Sequence, residues 1–167
     1  TVVVGNPMGW DAAQRVNRLA GVDGAATLSD LELPEGETIS AVPVIDPSAA
    51  PIVAPPLMAA SPDLLAAVRG RLSTGRFFDS GHDRRADQVP VLGADAATKL
   101  GITRMRASPA ILLGDDPYSV IGIISGAQRR RELLDAIVVP EGTAKARLGL
   151  EAPSSLIAET DVGAAGQ

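Results

Sequence analysis

The sequence predicts an α+β fold, with strands and helices mixed without regular alternation. Three observations carry that expectation. Short β-type runs recur along the 167 residues. Helical patterns closed by glycine lie between them, and a proline-dense stretch near residue 50 separates regions of different composition. Apolar residues make up 46% of the chain, enough for one compact domain or two small lobes.

Thr1, Val2, Val3 and Val4 are β-branched and predict a strand, after which Gly5-Asn6-Pro7 turns the chain. Over residues 10–20, Ala12, Val16, Leu19 and Ala20 share one helical face. Asp11 lies in the first turn, Arg18 in the last, and Gly21 follows where a left-handed cap favours glycine. Residues 25–29 predict a strand, Leu33-Pro34-Glu35-Gly36-Glu37 a turn, and residues 38–45 another strand. Pro43, Pro47, Pro51, Pro55, Pro56 and Pro62 then remove many backbone donors. Residues 46–60 are therefore expected to form an extended connector and lobe boundary, with at most a short edge strand at Ile52-Val53.

Ser61, Pro62 and Asp63 are an N-cap, a first helical residue and a first-turn acid; Leu64, Leu65 and Val68 form that helix's apolar side, and Gly70 ends it. Residues 75–87 predict a polar loop, 88–92 a strand, and 94–100 a two-turn helix capped by Gly101. Residues 109–113 and 118–125 are apolar β-type runs joined by Gly114-Asp115-Asp116-Pro117, a four-residue hairpin turn. A strand over 136–139, a helix from Pro140-Glu141 to about residue 148 and a strand over 154–159 complete the pattern. There is no internal repeat.

Several function classes are excluded. A formal charge of −5 and a pI near 4.8 leave no basic face for nucleic acid. The only aromatic residues are Trp10, Phe77, Phe78 and Tyr118, too few for a stacking platform. Without cysteine there is neither disulfide nor thiol chemistry. No Walker loop or Gly-x-Gly-x-x-Gly motif is present. No run approaches the ~20 apolar residues of a membrane span. The start at Thr1, without Met, predicts a segment excised from a longer protein, so that any membrane spans lie outside it.

The chemistry-bearing candidates are few. Asp79, the single histidine His82, Asp83 and Asp87 offer metal-ligand chemistry, but Arg84 and Arg85 would repel a cation and a solvated loop is favoured. Asp115 and Asp116 suit acid/base work, yet hairpin turns choose Asp for backbone reasons. Arg129, Arg130 and Arg131 are either a docking patch for an acidic partner or lipid headgroups, or a solvated turn. Phe77 and Phe78 read as core, with a ring at a lobe junction able to meet an apolar cargo. The expectation is a protein without catalytic residues, cofactor or metal.

One longer pattern remains. Leu72-Ser73-Thr74-Gly75-Arg76-Phe77-Phe78, Val89-Pro90-Val91-Leu92-Gly93, Tyr118-Ser119-Val120-Ile121-Gly122-Ile123 and Ile137-Val138-Val139-Pro140 follow in order. Leu19-Ala20-Gly21-Val22-Asp23-Gly24-Ala25 precedes them, and Ser155-Leu156-Ile157-Ala158-Glu159-Thr160 closes the set. Together these resemble the MacB-like periplasmic core domain of FtsX/MacB-type ABC transporter permeases; residues 32–61 match only loosely, and no helical stalk is visible.

The resemblance implies a porter-like α/β lobe from residues 1–55 and 136–167, with a smaller β-rich, sabre-like lobe inserted at 56–135. It implies a cell-membrane protein with this domain on the extracytoplasmic face, between the first and second of four spans. It also implies a second permease subunit, alike or homologous, and a cytoplasmic ATPase subunit as partners. The domain would be non-catalytic. It would couple ATP hydrolysis to export or extraction of a drug, peptide or lipid-linked cargo, or to mechanotransmission toward an envelope protein. Phe77, Phe78, Arg129, Arg130 and Arg131 are the candidate partner or cargo contacts. The alternatives are a secreted or membrane-tethered ligand-binding module without transport function and, third, a hydrolase acting through His82.

Overall fold

Leu57, Met58, Ala59 and Ala60 are all buried, and the strand they form lies near the middle of the larger of two sheets. The computed structural model describes residues 9–19, 22–42, 54–102 and 109–160. Helix α1 (Ala12–Asn17) leads to β1 (Val22–Leu31), β2 (Ile39–Val42) and β3 (Leu57–Ala60). Helix α2 (Leu64–Ala67), β4 (Gly70–Gly75), α3 (Ser80–Arg85), β5 (Val91–Gly93) and α4 (Ala94–Lys99) follow. Then come β6 (Ala110–Leu113), β7 (Asp116–Ser119), β8 (Gly122–Ala127) and a 3-10 turn (Arg131–Asp135), and finally β9 (Ile137–Pro140), α5 (Glu141–Arg147) and β10 (Ser155–Thr160).

Among the described residues, seven strands form a mixed sheet in the order β10-β1-β3-β9-β5-β8-β4, and three form an antiparallel sheet in the order β2-β6-β7. The architecture is α+β, as the residue pattern predicts. β3 and β9 pair in parallel, as do β5 and β8, and the other pairs are antiparallel. Strands from residues 57–60, 70–75, 91–93 and 122–127 thus share one sheet with β1, β9 and β10, while β2 joins β6 and β7 in the other.

Alternation along the central strands builds two cores. Met58, Ala60 and Val138 face α2, Phe78 and Leu133. Leu57, Ala59, Ile137 and Val139 face α4, α5 and the small sheet through Leu100, Ala144, Ile111 and Tyr118. A sheet covered on both faces needs continuous apolar runs, which Leu57–Ala60 and Ile137–Pro140 supply.

Four local expectations are corrected. Residues 57–60 are a central strand and not a connector: Pro55 and Pro56 stop just short of it, so every residue of β3 keeps its amide donor. Residues 75–87 contain α3, begun by a capping box in which the Asp79 carboxylate accepts from the His82 amide and His82 Nδ1 accepts from the Asp79 amide. The β6–β7 turn has two residues, Gly114 and Asp115, with Gly114 at φ 63°; Pro117 sits on an edge strand that does not need its donor. Ser61 does not cap with its side chain, because its hydroxyl accepts from the Thr27 amide at 2.9 Å and α2 begins only at Leu64.

β4 ends at Gly75. There φ is 71° and a side chain would strike the Ile121 carbonyl, so glycine is required. The apolar run after the hairpin is split at Val120-Ile121: β7 belongs to the small sheet and β8 to the large one. The predicted strand at 1–4, the Gly5-Asn6-Pro7 turn, Gly21, Ile52-Val53 and the tail 161–167 lie outside the described residues.

Candidate functional site

Arg129, Arg130 and Arg131 follow β8 and are pinned to the end of α2, where the Gln128 and Arg129 amides both donate to the Val68 carbonyl, at 3.1 and 3.2 Å. The β4–β8 register sets Gly70 opposite Ala127 and Arg71 opposite Gly126, which brings Arg69 and Arg71 to the same corner. The Arg71 guanidinium lies over Gly126, 3.8 Å from where a side chain would begin. Arg130 donates to Glu132 at 3.2 Å, while its Nε is buried without a hydrogen-bond partner. Arg69 and Arg130 both hold left-handed backbone, φ 49° and 57°, a conformation that is strained for side chains other than Gly, Asn or Asp. Residues 68–71 and 128–132 contain five arginines and one acidic residue, Glu132, which pairs with Arg130.

Phe78 is 2% exposed and belongs to the main core; Phe77 is half-buried with its ring centroid 4.1 Å away. The pair therefore divides, one ring filling the interior and the other reaching the surface.

The polar cluster around His82 is a clasp between α3 and α5. Asp83 accepts from the Gly142 amide at 2.7 Å, the Thr143 hydroxyl donates to the Asp87 carbonyl at 2.6 Å, and Arg147 donates to the Ala86 carbonyl at 3.2 Å. Asp87 itself is held by Arg85 at 2.7 Å. Glu141, 6% exposed, accepts from the buried Thr27 hydroxyl and so ties α5 to β1. Burial pushes the Glu141 carboxyl above its ordinary value, with Asp83 adding to the rise and Thr27 and Lys145 opposing it. Burial raises Asp83 too, against the Gly142 amide and Arg84. The His82 amide holds Asp79 below its ordinary value.

His82 Nδ1 lies 3.0 Å from the Asp79 amide and 3.2 Å from the Asp79 carboxylate, so its contacts are those of the helix cap. Among the described residues no three His, Asp or Glu side chains converge to hold a metal. Asp115 and Asp116 are exposed, one in the hairpin turn and one opening β7.

A further feature joins distant segments. An open cleft of about 670 Å³ lies between the end of β1 and the α5–β10 connection, with Leu31, Leu148 and Leu150 among its lining and Asp30, Glu32 and Glu151 supplying carboxylates. The Ser154 amide donates to the Ser29 hydroxyl at 2.9 Å and holds the connection against β1. Sequence reasoning missed this cleft because its walls are far apart in the chain.

The fold itself has clear relatives. The periplasmic region of MacB from Actinobacillus actinomycetemcomitans superposes with a TM-score of 0.70 at 14% identity, over 96% of this chain and 67% of that one. The extracellular domain of the noncanonic ABC-type transporter YknZ from Gram-positive bacteria gives 0.67 at 14%, over 95% of this chain and 75% of that one. Among curated proteins none matches significantly in sequence. The family model described as the MacB-like periplasmic core domain matches residues 2–165.

The chain belongs to that family. The ordered pattern from Leu72 to Pro140 lies within the matched residues, and most of it falls on β4, β5, β7, β8 and β9. MacB-like periplasmic core domains are extracytoplasmic parts of ABC transporter permeases. In this core domain no helix among the described residues is long and apolar enough to cross a membrane.

Proposed function

We propose that this core domain does no chemistry of its own and works as the extracytoplasmic part of a permease subunit. It couples ATP hydrolysis by a cytoplasmic ATPase to the export or extraction of a drug, peptide or lipid-linked cargo, or to mechanotransmission toward an envelope partner. The observation that carries this reading is the family match across residues 2–165. Two packed sheets joined by the short Val120-Ile121 step give a body that can pass on a displacement. A second permease subunit, alike or homologous, completes the transporter. Phe77, the half-buried member of its pair, is the better placed of the two rings to touch a cargo.

The test is the topology and partners of the whole protein in its membrane. Reporter fusions are expected to place one span before this domain and three after it, with an ATPase subunit co-purifying. Absence of the spans would overturn the reading. The open cleft beside Asp30 favours a second reading, a tethered or secreted ligand-binding module. A single span or lipid anchor without an ATPase would support that one instead.

A further inference from the structure

Glu141 is the first residue of α5 and is 6% exposed. Its carboxyl accepts from the Thr27 hydroxyl on β1, and among the described residues no ion pair reaches it. Its surroundings disfavour a negative charge. From α3 comes a second carboxylate, Asp83, bound at 2.7 Å to the amide of the very next residue, Gly142. Arg84 acts on Asp83, while His82 and Arg85 of the same helix are engaged by Asp79 and Asp87. On α5 itself Lys145 favours the anion, but its ammonium lies 4.7 Å over the Trp10 ring, and Arg147 is engaged by the Ala86 carbonyl at 3.2 Å. The strands under α5, β3 and β9, present Leu57, Ala59, Ile137 and Val139 on that face.

α5 also fixes one wall of the open cleft. The Leu148 and Leu150 amides both donate to the Ala144 carbonyl, at 2.9 and 3.2 Å, and the far end of the connection is held to β1 through Ser29. Little apolar surface holds the helix down: its buried residues are Glu141, Thr143 and Ala144, of which only the small Ala144 is apolar.

From this cluster we propose that Thr27, Glu141 and Asp83 form a proton-operated latch on α5, shut when Glu141 is neutral and released when it ionises. The cleft wall at residues 148–151 is then held in acid and freed as pH rises. Ionisation puts a buried charge beside a second carboxylate, and release of the first turn of α5 lets both hydrate. Because the shut state holds the Glu141 proton more firmly than open water does, that state is fully favoured below the ordinary carboxyl value. The preference is lost as pH rises through the value in the shut state. Asp83 acts in the same sense, and the exposed Asp79 at the start of α3 in the opposite one. The latch does not depend on the transport reading.

Trp10 is the single tryptophan of the 167-residue chain and lies against Lys145, so its emission reports the position of α5. Between about pH 4 and about pH 8, amide exchange over residues 142–150, corrected for its intrinsic rate, is expected to lose protection severalfold, with Trp10 emission changing over the same interval. Amides of β8 paired with β4 and β5 are expected to keep their protection, which separates a latch from loss of the fold. Glu141→Gln, neutral at every pH and of the same shape, is expected to stay protected throughout. Asp83→Asn keeps an oxygen for the Gly142 amide without the charge, and is expected to shrink the change. A parent whose protection does not vary with pH, loss at β8 in step with α5, an unchanged response in Glu141→Gln, or an undiminished one in Asp83→Asn would each overturn the proposal. The parent's profile and Asp83→Asn decide the matter if Glu141→Gln does not fold.

Discussion

The carboxylate of Asp83, on α3, accepts a hydrogen bond from the backbone amide of Gly142, the second residue of α5, at 2.7 Å. Gly142 is the close point of that contact: a Cβ there would strike the Asp83 carbonyl oxygen. Gly142→Ala is therefore expected to destabilise the fold by about 1–3 kcal/mol, the usual cost of overpacking. Denaturant unfolding checks this as a lowered midpoint with an unchanged slope.

Glu141 makes stability depend on pH. Its folded pKa is raised above the ordinary 4.5 by burial, so the native state binds its proton more readily than the unfolded chain does. Stability is then full below the ordinary value and is lost as pH rises through the folded one. Asp83, also raised by burial, acts in the same sense, whereas the exposed Asp79 acts weakly in the opposite one. Glu141→Gln is expected to raise the unfolding temperature near neutral pH and to have little effect at about pH 4. Thermal scans across that interval provide the check. A flat difference between the two proteins at all pH values would contradict the assignment.

The capping box at Asp79 gives a smaller effect. Asp79→Ala removes the acceptor for the His82 amide and is expected to lower the unfolding midpoint modestly. Asp79→Asn, which keeps an oxygen there, should recover most of it. Amide hydrogen exchange over residues 80–85 reports the loss locally.

Phe78→Ala is expected to cost about 3–5 kcal/mol as a core cavity, and Phe77→Ala far less. Their separation matters for function. In a transport assay on the full-length protein, a defect in Phe77→Ala at unchanged stability is the expected sign of cargo contact. Full activity in that variant would remove Phe77 from the site.

What could be read from residues and what could not differ for physical reasons. β9, α5 and β10 follow from local signals: a β-branched run, a proline before the helix, and a second alternating run. β3 was hidden because proline density describes a window, while a strand needs only a few consecutive donors and partners elsewhere in the chain. α3 was hidden because its capping box uses Asp and His where the usual signature has Ser or Thr with Glu or Gln. Of the arginine corner, the sequence offers three residues in a row. Arg69 and Arg71 join only through β4–β8 pairing, which no local pattern encodes.

Val22 and Thr160 are paired at one end of the β1–β10 ladder, and they are the first and last residues of the large sheet among those described. That neighbourhood sets how the body responds to load. A pull drawing the two strand ends apart runs along the ladder's hydrogen bonds, which would break one after another, as in a zip. A push moving both ends together runs along the strands and is borne by the whole sheet at once. The molecule is therefore compliant to a spreading force and stiff to a common one.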